Sequence, residues 1–167
     1  MKTIFKISLI LITLLFASCE KQYEGPRGLV NIDLGTYALW STSGVAGVGD
    51  SRYFNREKQI PANFPFTVNT YTGYGGVLLV MAYDGITNSY EPQAYGASCP
   101  VEGDLNVCVT VDPENIFEAY CPKCKSRYAI VNGLGGAISG VALDRKCKLP
   151  LYKVRSTGNG GYIITSR

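Results

Sequence analysis

Six cysteines and no histidine set the chemistry open to this 167-residue chain. The sharpest feature is Cys121-Pro-Lys-Cys124. Two residues between thiols let a tight turn aim both sulfurs at one centre, as in metal knuckles. The same spacing serves a disulfide or a redox pair. No thioredoxin-like βαβ pattern surrounds it. Cys99, Cys108 and Cys147 are the other thiols of the chain body, and Cys19 stands apart near the start. Without an imidazole there is no Ser-His-Asp triad, no Cys-His dyad, no His-bound zinc and no His-held haem. The acids Asp104, Asp112, Glu114 and Glu118 are spread over polar loops and strand ends, and nothing in their spacing pairs them for hydrolysis. Gly44-x-x-Gly47-x-Gly49 has the wrong spacing for a dinucleotide fingerprint, and no helical pattern follows it.

The start of the chain reads as an export signal. Lys2 and Lys6 flank a short basic opening, residues 7–16 are apolar apart from Ser8 and Thr13, and Ala17-Ser18-Cys19 supplies small residues and a thiol. The apolar run is about half of the ~20 residues that a spanning helix needs. Phe16-Ala-Ser-Cys19 resembles a bacterial lipobox, which implies cleavage before Cys19 and a diacylglycerol on its sulfur. Residues 1–18 are then a lipoprotein signal peptide, 19–28 a short flexible tether, and 29–167 the folded domain. Removing Lys2 and Lys6 leaves 14 basic and 13 acidic residues, so the net charge falls from +3 to +1. A near-neutral envelope protein has no electrostatic case for binding nucleic acid. The basic clusters at 123–127 and 145–148 read as solvated loop charge.

The elements that must position the thiols are strands. Nineteen aromatics, twelve of them Tyr, lean towards β structure. Residues 30–34 alternate apolar and polar. Residues 77–83, Val-Leu-Leu-Val-Met-Ala-Tyr, form the most apolar stretch after the leader and read as a central buried strand closed by the turn pair Asp84-Gly85. Further strands are expected at 66–71, 107–111, 116–120 and 126–131, the last closed by Asn132-Gly133. Residues 149–155 and 161–165 should pair across Ser-Thr-Gly-Asn-Gly. Sustained helical periodicity is missing. The expected fold is all-β, a small sandwich or barrel.

The order of these elements resembles the second half of a Rieske iron–sulfur domain. The residues that carry the likeness are Cys121-Pro-Lys-Cys124-Lys-Ser126-Arg-Tyr128, then Asn132-Gly133, Gly140-Val-Ala142 and Leu149-Pro-Leu-Tyr-Lys-Val154. Ser98-Cys99-Pro100-Val101 matches that family's first loop. The likeness covers roughly residues 76–165, and the chain more specifically resembles lipid-anchored Rieske-like proteins of Bacteroidetes-type bacteria. It implies two cysteine-bearing loops on a strand-built base. Rieske clusters hold one iron by two cysteines and the other by two histidines. Cys99 and Cys121 match the cysteine positions, while the histidine positions hold Val101 and Cys124. Valine cannot ligate, so Cys108 is recruited as a fourth ligand and Cys147 stays outside. The resemblance thus implies an all-cysteine site of Cys99, Cys108, Cys121 and Cys124 for a 2Fe–2S cluster, with Ser126 and Tyr128 where the family places hydroxyls on cluster sulfurs.

Other readings of the same thiols stand beside it. The leader has no twin arginine, so it resembles a general secretory address, which threads an unfolded chain. Iron–sulfur clusters are normally inserted before export of a folded protein, and an oxidising envelope favours disulfides. Zinc or a single iron suits the same thiolates. Two function classes follow: an electron-transfer module at the cell envelope with an unidentified redox partner, and a cofactor-less binding or structural module stapled by disulfides. Neither is a hydrolase. In both, the N-terminal lipid attaches the protein to the membrane.

Overall fold

The computed structural model describes residues 22–166, so the expected leader and Cys19 lie outside the described residues. Among the described residues, strands in two sheets dominate and helix is minor, in agreement with the all-β expectation. No helix there is long and apolar enough to cross a membrane.

The larger sheet is the base. Its strands are β2 (Val30–Thr36), β3 (Ser51–Phe54), β4 (Tyr71–Thr72), β5 (Val77–Asp84), β6 (Ser89–Gly96), β12 (Leu151–Ser156) and β13 (Gly160–Thr165). Their order is β3-β5-β6-β12-β13-β2-β4. The turn expected at Asp84-Gly85 joins β5 to β6, which pair from Val77↔Gly96 to Asp84↔Ser89. β12 and β13 pair across residues 157–159, as their sequence suggests.

The smaller sheet is inserted between two neighbours of the base. β6 and β12 are hydrogen-bonded at Leu151↔Tyr95 and Tyr152↔Ala94. The chain leaves after β6 and returns only at β12. Between them it builds β7 (Thr110–Val111), β8 (Glu118–Tyr120), β9 (Arg127–Ala129), β10 (Gly136–Ser139) and β11 (Cys147–Lys148). β1 (Tyr23–Glu24) completes this sheet by pairing in parallel with β11. Residues 19–28 were expected to be a flexible tether, but the part described is held. Tyr23 and Glu24 sit in the sheet, Lys148 Nζ lies 2.9 Å from Glu24, and Arg27 Nη1 donates to the Leu151 carbonyl at 3.1 Å.

β5 explains its own uninterrupted apolar run. Side chains alternate along a strand, and both faces of β5 are covered. Val77 and Leu79 enter the base core with Ile32, Leu34, Phe54 and Ile164. Leu78 and Val80 enter a second core under the small sheet with Tyr95, Tyr128, Ile130 and Leu149. Cys99, Cys121 and Cys147 belong to that second core.

The strand expected at 66–71 fails over most of its length, and those expected at 107–111, 116–120 and 126–131 shorten to β7, β8 and β9. Residues 66–70 are not a strand; only Tyr71–Thr72 pairs, with β2. The Thr70 hydroxyl accepts from Thr67 N–H at 3.0 Å, and the Thr67 hydroxyl accepts from Asn69 N–H at 3.3 Å. These local bonds compete with a ladder and turn the chain. A short helix α1 (Tyr37–Ser43) also follows β2. Thr36 caps it by accepting from Leu39 N–H at 3.2 Å, and Trp40 stacks on Tyr162 with ring centroids 4.5 Å apart.

Candidate metal centre

Two five-residue turns carry the thiols. Residues 99–103 lie between β6 and β7, and residues 121–125 between β8 and β9. Each starts Cys-Pro and folds back on its cysteine carbonyl. Gly103 N–H donates to Cys99 O at 3.0 Å, and Lys125 N–H donates to Cys121 O at 3.0 Å. The fifth residue is left-handed in both, with φ 62° at Gly103 and 60° at Lys125. Glycine takes that conformation freely; a lysine there is strained by about 1–2 kcal/mol, which the turn must offset.

The turns bring three sulfurs together. The Sγ atoms of Cys99, Cys121 and Cys124 all lie within 4.8 Å of one another. Cys99 and Cys124 are 3.7 Å apart. For metal–sulfur bonds of about 2.3 Å, a tetrahedron of thiolates has edges of about 3.8 Å. Cys99 and Cys121 are fully buried and Cys124 is partly exposed. All five described cysteines are free thiols. The expectation that Cys99 and Cys121 meet on adjacent loop tips is met.

Ser126 and Tyr128 touch this group. Ser126 is fully buried, and its oxygen accepts from Ala142 N–H at 3.0 Å. Cys124 Sγ donates to the same oxygen at 3.3 Å. The Tyr128 hydroxyl lies 3.5 Å from Cys99 Sγ. Burial, and then the bond to Cys99, push that hydroxyl far above the ordinary tyrosine range, so it keeps its proton and donates.

The thiols themselves are unequal. Burial pushes Cys121 up to about 12. Burial also opposes ionisation of Cys124, but hydrogen bonds to the Ser126 hydroxyl and amide and to Cys121 and Cys99 together outweigh it and hold Cys124 below the usual thiol value. Were a cation to bind, Cys124 would give up its proton more readily than Cys121.

The structure does not bring Cys108 to this group. Ser98 and Cys108 form an isolated antiparallel bridge, and Cys99 N–H donates to Val107 O at 2.9 Å. Facing residues in a ladder share a side, and neighbours alternate. Cys108 therefore lies on the side of Ser98, opposite to Cys99. Its Sγ sits 3.1 Å from the Gly75 carbonyl and 3.5 Å from the Tyr53 hydroxyl. Cys147 is buried beside Leu149 in the same core, with its Sγ 3.9 Å from the Arg145 carbonyl and outside the group of three.

Charge around the turns is paired. Lys123 Nζ on the second turn lies 2.6 Å from Glu102 on the first. Arg127 Nη1 bonds Asp112 at 2.6 Å and Glu118 at 2.8 Å. Two cations of the 123–127 cluster, expected to be solvated, thus hold acids instead. The arrangement can hold a thiophilic cation: three soft donors converge at the end of a small sheet, with hydroxyls in contact with two of them. No protein-family model matches the chain, and comparisons with curated proteins and with solved structures find no significant match.

Proposed function

We propose that this chain is a lipid-anchored protein of the bacterial cell envelope whose β domain carries a single-ion metal–thiolate centre. The observation behind this reading is the meeting of the Cys99, Cys121 and Cys124 sulfurs within 4.8 Å of one another. Three donors so close suit one coordination sphere, whereas a two-iron cluster divides its four terminal ligands between two irons. Zinc is the ion we infer. It takes thiolates in tetrahedral geometry and loads onto a chain after secretory export without dedicated assembly. Bound there, it ties two turns from different parts of the small sheet into one rigid tip, and the module serves binding or structure at the membrane surface. The lipobox-like residues ending in Cys19 support the anchor.

A second reading is a Rieske-like electron-transfer module with a 2Fe–2S cluster. The hydroxyls of Ser126 and Tyr128 on the Cys124 and Cys99 sulfurs favour it, because such bonds tune cluster potentials.

Elemental analysis and visible spectroscopy of the anaerobically purified full chain separate the two. About one zinc per colourless chain is expected. Iron with charge-transfer bands, and a paramagnetic signal on reduction, would replace the first reading by the second. A chain that binds neither metal more tightly than about micromolar defeats both. Cys19→Ser should move the protein from the membrane to the soluble envelope fraction, since acyl chains supply the membrane affinity; unchanged retention defeats the anchor.

A further inference from the structure

The two thiol-bearing turns share one conformation, and their sequences differ where a metal would notice. The first reads Cys99-Pro100-Val101-Glu102-Gly103 and the second Cys121-Pro122-Lys123-Cys124-Lys125. Both carry the same fifth-amide-to-first-carbonyl hydrogen bond at 3.0 Å and the same left-handed fifth residue. With the backbone matched, the fourth side chain leaves each turn in the same relation to the first. In the second turn the fourth residue is Cys124, which joins Cys121 in the sulfur group. In the first turn it is Glu102.

We propose that Glu102 is the fourth ligand of the site, closing a tetrahedron of three thiolates and one carboxylate. This rests on the single-ion reading above. Carboxylate oxygen is among zinc's ordinary donors, at about 2.0–2.2 Å. The Glu102 side chain is only 15% exposed, so it already lies against the protein and not in bulk water. Without a metal its carboxylate is held by Lys123 Nζ at 2.6 Å, a residue of the opposing turn. Glu102 therefore has to turn away from Lys123 to ligate. Lys123 is 64% exposed, so its ammonium can move into water when the cation takes its partner. Lys123 and the exposed Lys125 also remain beside a centre whose four anionic donors exceed the charge of a divalent ion. The ion pair thus keeps the carboxylate beside the opposing turn. Cys147, buried in the same core and, like the Glu102 carboxylate before it turns, outside the group of three, is the rival fourth ligand.

X-ray absorption of the zinc-loaded full chain should show three sulfurs and one lighter atom. Four sulfurs overturn the proposal, and Cys147→Ala and Cys108→Ala then identify which thiol supplied the fourth. Glu102→Cys should raise the sulfur count to four. In the cobalt-loaded chain it should strengthen the thiolate charge-transfer band by about one third, four thiolates against three. Glu102→Gln should lower zinc affinity by about tenfold or more. Lys123→Met frees the carboxylate, so affinity should hold or rise; equal losses from Glu102→Gln and Lys123→Met would mean that the pair only clamps the turns. Circular dichroism of each metal-free variant checks that the fold is intact. Zinc bound by the wild type, with Glu102 variants unchanged in affinity and spectrum, overturns this proposal alone. A wild type that binds neither zinc nor cobalt overturns it together with the function on which it rests.

Discussion

Ser126→Ala removes one oxygen from a fully buried position and breaks two bonds at once. One partner is Ala142 N–H, at 3.0 Å, in the first turn of helix α2 (Val141–Asp144). The helix begins after Gly140, which has no side chain to cap it, so Ser126, the residue before β9, acts as the cap. With the hydroxyl gone, a buried amide loses its acceptor, at a cost of about 1–3 kcal/mol. For a domain of this size, about 2 kcal/mol corresponds to a fall of roughly 4–8 °C in Tm. The other partner is Cys124 Sγ, at 3.3 Å. Losing the Ser126 hydroxyl lets the Cys124 thiol rise towards its ordinary value, so a metal must displace a more tightly held proton. Zinc affinity should fall by about tenfold. Urea unfolding of the metal-free, reduced protein reads the first effect and a competitive zinc titration the second. A variant within about 0.5 kcal/mol of wild type would refute the capping role. A destabilised variant with unchanged zinc affinity would refute the coupling of Ser126 to the thiolate.

Three further outcomes follow from the same geometry. Tyr128→Phe removes the hydroxyl 3.5 Å from Cys99 Sγ, and should weaken zinc binding a few-fold while costing the metal-free fold about 1 kcal/mol or less; a competitive titration on the purified variant reads it, and unchanged affinity would show that the contact is only packing. Leu79→Ala opens the base core and should cost about 2–5 kcal/mol in urea unfolding, with zinc affinity unchanged because Leu79 lies on the β5 face away from the thiols. Finally, Cys121 keeps its proton in the folded state to about 12, against 9.0 for an ordinary thiol, so from pH 9 upward the unfolded chain holds fewer protons and metal-free stability should fall with rising pH. Urea midpoints between pH 8 and 11 test this, and a flat profile contradicts the raised value.

Much of the base was legible in the sequence because its signals are long. Alternation over residues 30–34 marks β2, and the apolar run at 77–83 marks β5, whose two faces serve two cores. Asp84-Gly85 joins β5 to β6, and the Gly-containing loop at 157–159 joins β12 to β13. The small sheet was harder to read. Its strands run two to four residues, too short for a period to show, and they hold their places through neighbours instead. β1 exists only because β11 lies alongside it, which no local pattern in residues 22–28 reports.

The candidate site divides along the same line. Cys-Pro-x-Cys spacing and the absence of histidine by themselves make thiolates, and no imidazole, the leading donors for a metal here, since the thiol at the end of a tight turn follows from local chain geometry. Which thiols meet was decided by strand register. Pairing Cys108 with Ser98 puts it on the face opposite to Cys99, and a slip of one residue would have reversed that choice. Glu102 could have been found from the repeated Cys-Pro-x-x turn, yet two turns count as equivalent only once their hydrogen bonds and left-handed residues match. The sequence carries the donor chemistry because it is written in side-chain type; the side of a ribbon on which a side chain falls is a property of pairing between distant segments, and that pairing exists only in the folded chain.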